Sequence, residues 1–175
     1  MLKNTGTQEM RLDQFQLVDR IAELSADGTS VMSLAQVPVT HSIFSGHFPG
    51  HALMPGVLIG ELMAQTCGFL LLLRNGFERM PFLAAMKELN LRAFVIPGTP
   101  LECNSRLVHE GSGYAVLDAA VRRSGEDRRV ADARLIFRVT SFPNTTLKVH
   151  MRARAAQVGL DPSPDPVSPR AGAAA

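Results

Sequence analysis

Cysteine is scarce in this chain. Of 175 residues only Cys67 and Cys103 are cysteine, with no CxxC spacing, too few for a disulfide framework and pointing to a reducing compartment. Charge of one sign is also missing. Lys and Arg total 18 against 16 Asp and Glu, a formal net charge of +2, too small a surplus to argue for nucleic acid. Aromatic residues make up 6% of the chain, and no basic run is interleaved with them as single-strand binding requires. Met1 to Arg11 holds no apolar stretch of the kind a secretory signal uses, so the expectation is a cytoplasmic protein. His41, His51, His109 and His150 show no ligand spacing with one another or with cysteine, so no metal site is expected.

What is present is apolar. At 46% hydrophobic and 19% charged residues the composition is that of a globular protein, and the length is one domain's worth, enough to bury a core. The longest apolar segment runs from Val57 to Leu73. It is near the lower length limit for a membrane span, yet it contains Glu61, Gln65, Thr66 and the small residues Gly60, Ala64 and Gly68. A helix hydrophobic nearly all round in a soluble chain is one wrapped by other elements. The expectation is therefore no transmembrane segment, and a sheet around this helix.

The helix should start near Pro55, since Pro is favoured in a first turn, and stop at Asn75-Gly76. Ahead of it, Phe15 to Glu23 and Ser30 to Val37 read as strands joined through Ala26-Asp27-Gly28, with the loop His41 to Gly56 following. After it, Phe82 to Val95, Leu101 to His109, Tyr114 to Arg123 and Val130 to Thr140 read as strands separated by Gly and Pro turns. The alternation from Val130 to Val139 is that of a half-buried strand. The order predicts an α+β fold, one long helix against one antiparallel sheet with its last four strands in a meander. A single domain over 1–144 is expected, with a C-terminal extension over 145–175. Thr145 to Gly159 has helical composition, and the Pro-rich last fifteen or so residues read as disordered.

One segment combines unusual chemistry with special backbone residues. Gly46-His47-Phe48-Pro49-Gly50 puts an imidazole in a turn bounded by Gly and Pro, and Glu61 follows fourteen residues later, inside the apolar helix about one turn from its start. A carboxyl group in such surroundings either finds a partner or keeps its proton. Gln65, four residues on, shares its helical face and is placed to support it. The blander readings are a structural turn histidine, a buried salt-bridge glutamate and a glutamine that satisfies backbone groups.

These residues resemble a known family. Gly46-His47-Phe48-Pro49-Gly50, Met54-Pro55-Gly56-Val57-Leu58 and Glu61-Leu62-Met63-Ala64-Gln65 are similar to the signature of the bacterial β-hydroxyacyl-acyl-carrier-protein dehydratases of the FabZ class. The likeness extends to Phe15-Gln16-Leu17-Val18-Asp19-Arg20 and Leu91-Arg92-Ala93-Phe94-Val95-Ile96-Pro97-Gly98 and covers roughly Phe15 to Phe142. It implies the hot-dog fold, a curved antiparallel sheet wrapped around a central helix. It also implies a homodimer, or a larger assembly of dimers, whose sites each take His47 from one subunit and Glu61 from the other.

The chemistry implied is loss of water from a 3-hydroxyacyl thioester carried on the phosphopantetheine of an acyl carrier protein, with no metal or diffusible cofactor. His47 is the expected base at the C2 proton and Glu61 the expected acid at the C3 hydroxyl. The amide of Gly56, at the helix N-terminus, is the expected donor to the thioester oxygen, and Gln65 supports Glu61. Departures exist. Met10-Arg11-Leu12-Asp13-Gln14 stands where the family has His-Arg-Tyr-Pro-Phe, His51-Ala52 where Lys-Pro is frequent, and the tail beyond Phe142 is longer. With Met80-Pro81-Phe82-Leu83 and Glu110-Gly111-Ser112-Gly113, these look closer to the branch serving long-chain acyl groups of lipid A.

Alternatives are a FabA-class dehydratase that also isomerises, which resembles an Asp at the acid position, a hot-dog thioesterase, and an acyl-thioester-binding protein without activity. Arg92, Arg122 and Arg123 are candidates for steering an acidic carrier protein, although the Arg122, Arg123, Arg128, Arg129 group reads equally as a solvated turn. Met54, Phe69, Leu83 and Phe94 line an acyl tunnel or belong to the core. Asp19 and Arg20 read as a structural pair at a strand end, and Cys67 as a small apolar residue.

Overall fold

The computed structural model describes residues 10–162. Six strands, β1 (Arg20–Leu24), β2 (Ser30–Gln36), β3 (Arg79–Leu91), β4 (Pro100–Gly111), β5 (Tyr114–Arg123) and β6 (Arg129–Ser141), form one sheet. Its order is β1-β2-β4-β5-β6-β3, and every neighbouring pair is antiparallel. Three helices accompany it: α1 (Ile43–Gly46), α2 (Gly56–Arg74) and α3 (Thr145–Gln157).

The sheet wraps α2, which packs against β2, β3, β4, β5 and β6. Leu62, Met63, Leu70, Leu71 and Leu72 of α2 are fully buried. Alternate strand residues meet them: Ala115, Leu117 and Val121 of β5 and Ala131, Leu135 and Phe137 of β6. Burying each such Leu contributes about 1.5–3 kcal/mol relative to exposure, which explains why so apolar a helix sits inside a sheet. By length and hydropathy α2 is long enough to cross a membrane, but 67% of its most apolar window is buried by the rest of the fold.

Several polar side chains inside the core are paired with one another. The Ser33 and Thr66 hydroxyls lie 2.7 Å apart, and Thr66 donates to Leu62 O at 2.8 Å. Cys67 Sγ is 3.0 Å from Ser105 Oγ. Burial pushes both thiols up, Cys103 to about 12, so Cys67 behaves as the small apolar residue expected of it.

Local signals account for the element ends. Asn75 caps α2, and its Oδ1 accepts from the amides of Glu78 and Arg79 at 3.0 and 3.1 Å, while Gly76 takes φ +61°. At the β1–β2 turn Asp27 Oδ1 accepts from Ser25 Oγ and Thr29 N, bonds that lower the Asp27 carboxyl to about 2. Gly28, at φ +64°, completes that turn.

Three expectations change. The first strand begins at Arg20, not Phe15. Residues 12–14 form a 3-10 turn, Phe15 takes φ +55°, and the next backbone groups bond to side chains instead of a neighbouring strand, Leu17 N to Gln65 and Val18 O to Arg154. Asp19 Oδ2 accepts from Gln36 N at 2.5 Å, fixing the strand end, and Arg20 is exposed. The third strand runs Arg79–Leu91 rather than Phe82 to Val95. Pro81 is tolerated in it because β3 is an edge strand, and Val95 is buried in the connection, where its carbonyl accepts from Met54 N at 2.7 Å.

The meander holds only for β4, β5 and β6. β3 lies at the far edge beside β6, and residues 92–99 carry the chain back across the fold to β4. That connection is too long for a tight hairpin and is bonded near both ends, Arg92 N to Val130 O of β6 and Gly98 N to Val37 O just past β2.

The helical reading of Thr145 to Gly159 corresponds to α3, whose neighbours Val158 and Leu160 join the core with Ala155. The expected disorder of the tail falls almost wholly on residues outside those described.

Candidate active site

Two segments carry the chemistry-bearing residues. The first is the turn after α1. Phe48 and His51 exchange backbone hydrogen bonds of 3.0 and 2.9 Å across Pro49-Gly50. Gly50 at φ +75° supplies the conformation that a third turn residue needs. The His47–Phe48 peptide is cis. Leu53 holds His47 twice: its amide donates to His47 O at 2.9 Å, and its carbonyl oxygen accepts from His47 Nδ1 at 3.0 Å. A carbonyl only accepts, so Nδ1 carries the hydrogen and Nε2 of the neutral ring is left with the lone pair. The half-buried ring stacks on Phe48, centroids 4.0 Å apart. His41 braces the same turn. Its Nδ1 accepts from Ile43 N at 3.1 Å and its Nε2 lies 2.9 Å from Asp13 Oδ1.

The second segment is the start of α2. Pro55 is its N-cap and Gly56 its first residue, so the Gly56 N–H has no acceptor within the helix. A Cβ at Gly56 would lie 2.2 Å from Leu91 Cδ1 of β3, so a side chain here would have to displace the tip of Leu91. One turn later Glu61 is half-buried, and Gln65 Nε2 donates to its Oε1 at 3.0 Å. The Gln65 amide is fixed at both ends: Nε2 also donates to Phe15 O at 2.7 Å, and Oε1 accepts from Leu17 N at 3.0 Å. Since backbone groups set its orientation, Gln65 presents a donor to Glu61 Oε1. Oε2 is thereby the oxygen left to hold or exchange a proton. A hydrogen-bond partner for this carboxyl is thus in place.

Glu61 and Gln65 open into a cavity of about 590 Å³. Phe69 and Leu72 of α2, Met80 and Leu83 of β3, and Phe137 of β6 make it largely apolar. Of the candidate tunnel residues, Phe69 and Leu83 line it, whereas Met54 is buried in the core and Phe94 is 75% exposed. Gln14, Phe15 and Gln16 from the N-terminal turn and His150, Met151 and Arg154 from α3 also line it, none of which the sequence pattern marked. The only signal for the last three was the helical composition of their segment. Among the described residues, those lining the Glu61 cavity do not include His47 of the same chain.

The candidate steering arginines are already engaged. Arg92 donates to both oxygens of Asp132, raising the guanidinium further and lowering the carboxyl. Arg122 donates to Glu102 at 2.8 Å, and Arg123 to Glu126 and to Phe94 O. Arg128 and Arg129 of the same turn are exposed. Among the described residues no group of three His, Cys, Asp or Glu side chains is placed to hold a metal ion.

A single antiparallel sheet wrapped around a long apolar helix defines the hot-dog class. Solved structures share it: a conserved protein of Pseudomonas aeruginosa (TM-score 0.54, 23% identity, 69% of this chain and 86% of that one) and a Pseudomonas aeruginosa thioesterase solved as a point mutant (TM-score 0.57, 14% identity, 74% and 85%). Within that class the chain belongs to the FabA-like domain family, whose model matches residues 11–134. Curated relatives include the 3-hydroxyacyl-[acyl-carrier-protein] dehydratase FabZ of Streptococcus sanguinis, 36% identical over 111 residues that cover 63% of this chain and 78% of that protein. The enzyme of the same name from Streptococcus mutans is 34% identical with the same coverage.

Proposed function

We infer that this protein is a FabZ-type enzyme that removes water from 3-hydroxyacyl-acyl-carrier-protein to give the trans-2-enoyl thioester in fatty acid synthesis. The observation that carries the mechanism is a pair of side chains each tied at one atom and left available at the other. His47 is bonded through Nδ1 and available at Nε2, and Glu61 is bonded through Oε1 and available at Oε2. Nε2 of His47 takes the C2 proton, Oε2 of Glu61 gives a proton to the C3 hydroxyl, and the C3–O bond breaks to release water as the C2–C3 double bond forms. The Gly56 amide donates to the thioester oxygen while charge accumulates there, aided by the N-terminal end of α2. Proton return from His47 to Glu61 resets the site, so the reaction runs in both directions. No step calls for a metal or a diffusible cofactor.

The working unit in this reading is a homodimer in which His47 of one subunit meets Glu61 of its twin. That His47 is absent from its own chain's Glu61 cavity supports it. So does the edge strand β3, thirteen residues long with Phe82 and Leu83 about 40% exposed, since long apolar edges in soluble proteins are ordinarily covered. The substrate arrives on a carrier protein in the cytoplasm. The catalytic fold occupies 1–144, and 145–175 is an extension that adds α3 to the same core.

Incubation with 3-hydroxyacyl and trans-2-enoyl carrier-protein substrates of several lengths, followed by mass spectrometry, tests this. The expected outcome is reversible loss and addition of water, falling on the order of 10²- to 10⁴-fold in His47→Ala and in Glu61→Gln. Hydrolysis of the thioester instead would favour the thioesterase reading, and a maximum at the longest substrates the lipid A branch.

A further inference from the structure

α3 contributes a wall to the Glu61 cavity, although it lies beyond residues 11–134, the part of the chain that the family model matches. From Glu61 the cavity follows one stripe of α2 through Gln65, Gly68 and Leu72, spaced at three and four residues as one helical face requires. Eleven residues at 1.5 Å each give a channel of about 16 Å leading away from the carboxylate. Beside Gly68 the space is open, since an added Cβ would meet nothing within 4 Å. β3 and β6 close one side through Leu83 and Phe137, and α3 closes another through His150, Met151 and Arg154. Met151 is half-buried and packs against the core, and His150 is exposed at the rim.

α3 is fixed at both ends, so this wall is part of the fold. At its first turns Lys148 Nζ bonds both oxygens of Glu78 at 3.0 and 2.9 Å, and Arg152 lies over the Phe77 ring and donates to Gly76 O. At its far end Ala155 and Val158 are fully buried, and Ile21 N donates to Val158 O at 2.7 Å. Arg154 is 7% exposed, and its guanidinium is held by Val18 O and Gln157.

We propose that Met151 of α3 is a specificity-determining residue, the side chain that limits how long an acyl chain the Glu61 channel accepts. This rests on the dehydratase reading. A linear hydrocarbon suits a channel that is polar at the carboxylate end and apolar beyond it, and Met is a wall that one substitution can thin or thicken.

The test is kcat/KM of the full-length protein on a series of 3-hydroxyacyl-carrier-protein substrates of rising length, comparing Met151→Ala and Met151→Trp. The readout is the ratio of long-chain to short-chain kcat/KM, which a general loss of folded protein leaves untouched. Met151→Trp should lower that ratio on the order of tenfold and Met151→Ala should raise it. An unchanged ratio in both variants overturns the assignment while the dehydratase reading stands. Failure of the unaltered protein to dehydrate any substrate overturns the dehydratase reading, and this assignment with it.

Discussion

Gln65 shows how a side-chain amide can be locked so that it presents a donor to a neighbouring carboxyl group. Its amide cannot flip without losing bonds to Phe15 O and Leu17 N, so Glu61 always meets a donor. At this scale two features of the candidate residues were legible: Gly-Pro turn chemistry put His47 in its turn, and the spacing of four put Gln65 beside Glu61. The lock on Gln65 was not legible, because it joins residues about fifty positions apart. An equally non-local neighbour crowds Gly56, the Leu91 side chain whose Cδ1 lies 2.2 Å from where a Cβ would stand. Leu91 is 53% exposed and free to swing outward. Gly56→Ala should therefore cost the fold little, and the double variant with Leu91→Ala should be more stable than the sum of the two single changes by a coupling on the order of 0.5 kcal/mol, read from the denaturation midpoints. Strict additivity of the two changes would contradict the contact.

Elements were read best where a local signal ends them. α2 begins and stops at its Pro and Asn-Gly punctuation, and β5 matches its expected limits because Gly-containing turns bound it on both sides. β1 and β3 were misjudged where tertiary bonds replaced local preference. Residues 15–19 have strand-like composition but bond to Gln65, Arg154 and β2, and nothing in the local pattern distinguishes a hairpin partner from a strand that crosses to the opposite edge. α3 illustrates the converse case, a segment of modest helical signal stabilised by its docking. Its N-cap is Asn144, whose Oδ1 accepts from Leu147 N at 2.8 Å. Asn144→Ala should destabilise the protein by about 1 kcal/mol, read as a lower urea midpoint with unchanged slope. A shift confined to α3, with the rest of the fold unaffected, would mean that the helix is not integral to the core.

At the scale of the whole molecule, sequence pattern pointed to the right class because a nearly all-apolar helix in a chain of strands has few solutions. Six antiparallel strands around α2 are one of them. What pattern could not convey is which cavity each catalytic candidate faces. In a single chain Glu61 opens into one cavity, and His47 is not among the residues that line it. The account joins them through a second copy. Mixing subunits decides this most directly: inactive His47→Ala and Glu61→Gln proteins are combined, allowed to exchange, and assayed for hydration of a trans-2-enoyl carrier-protein substrate. Random pairing makes half the dimers mixed, each with one intact site of two, so activity should return to roughly a quarter of the unaltered level. No recovery, in a mixture shown by mass to contain the mixed dimer, would contradict a site shared between subunits.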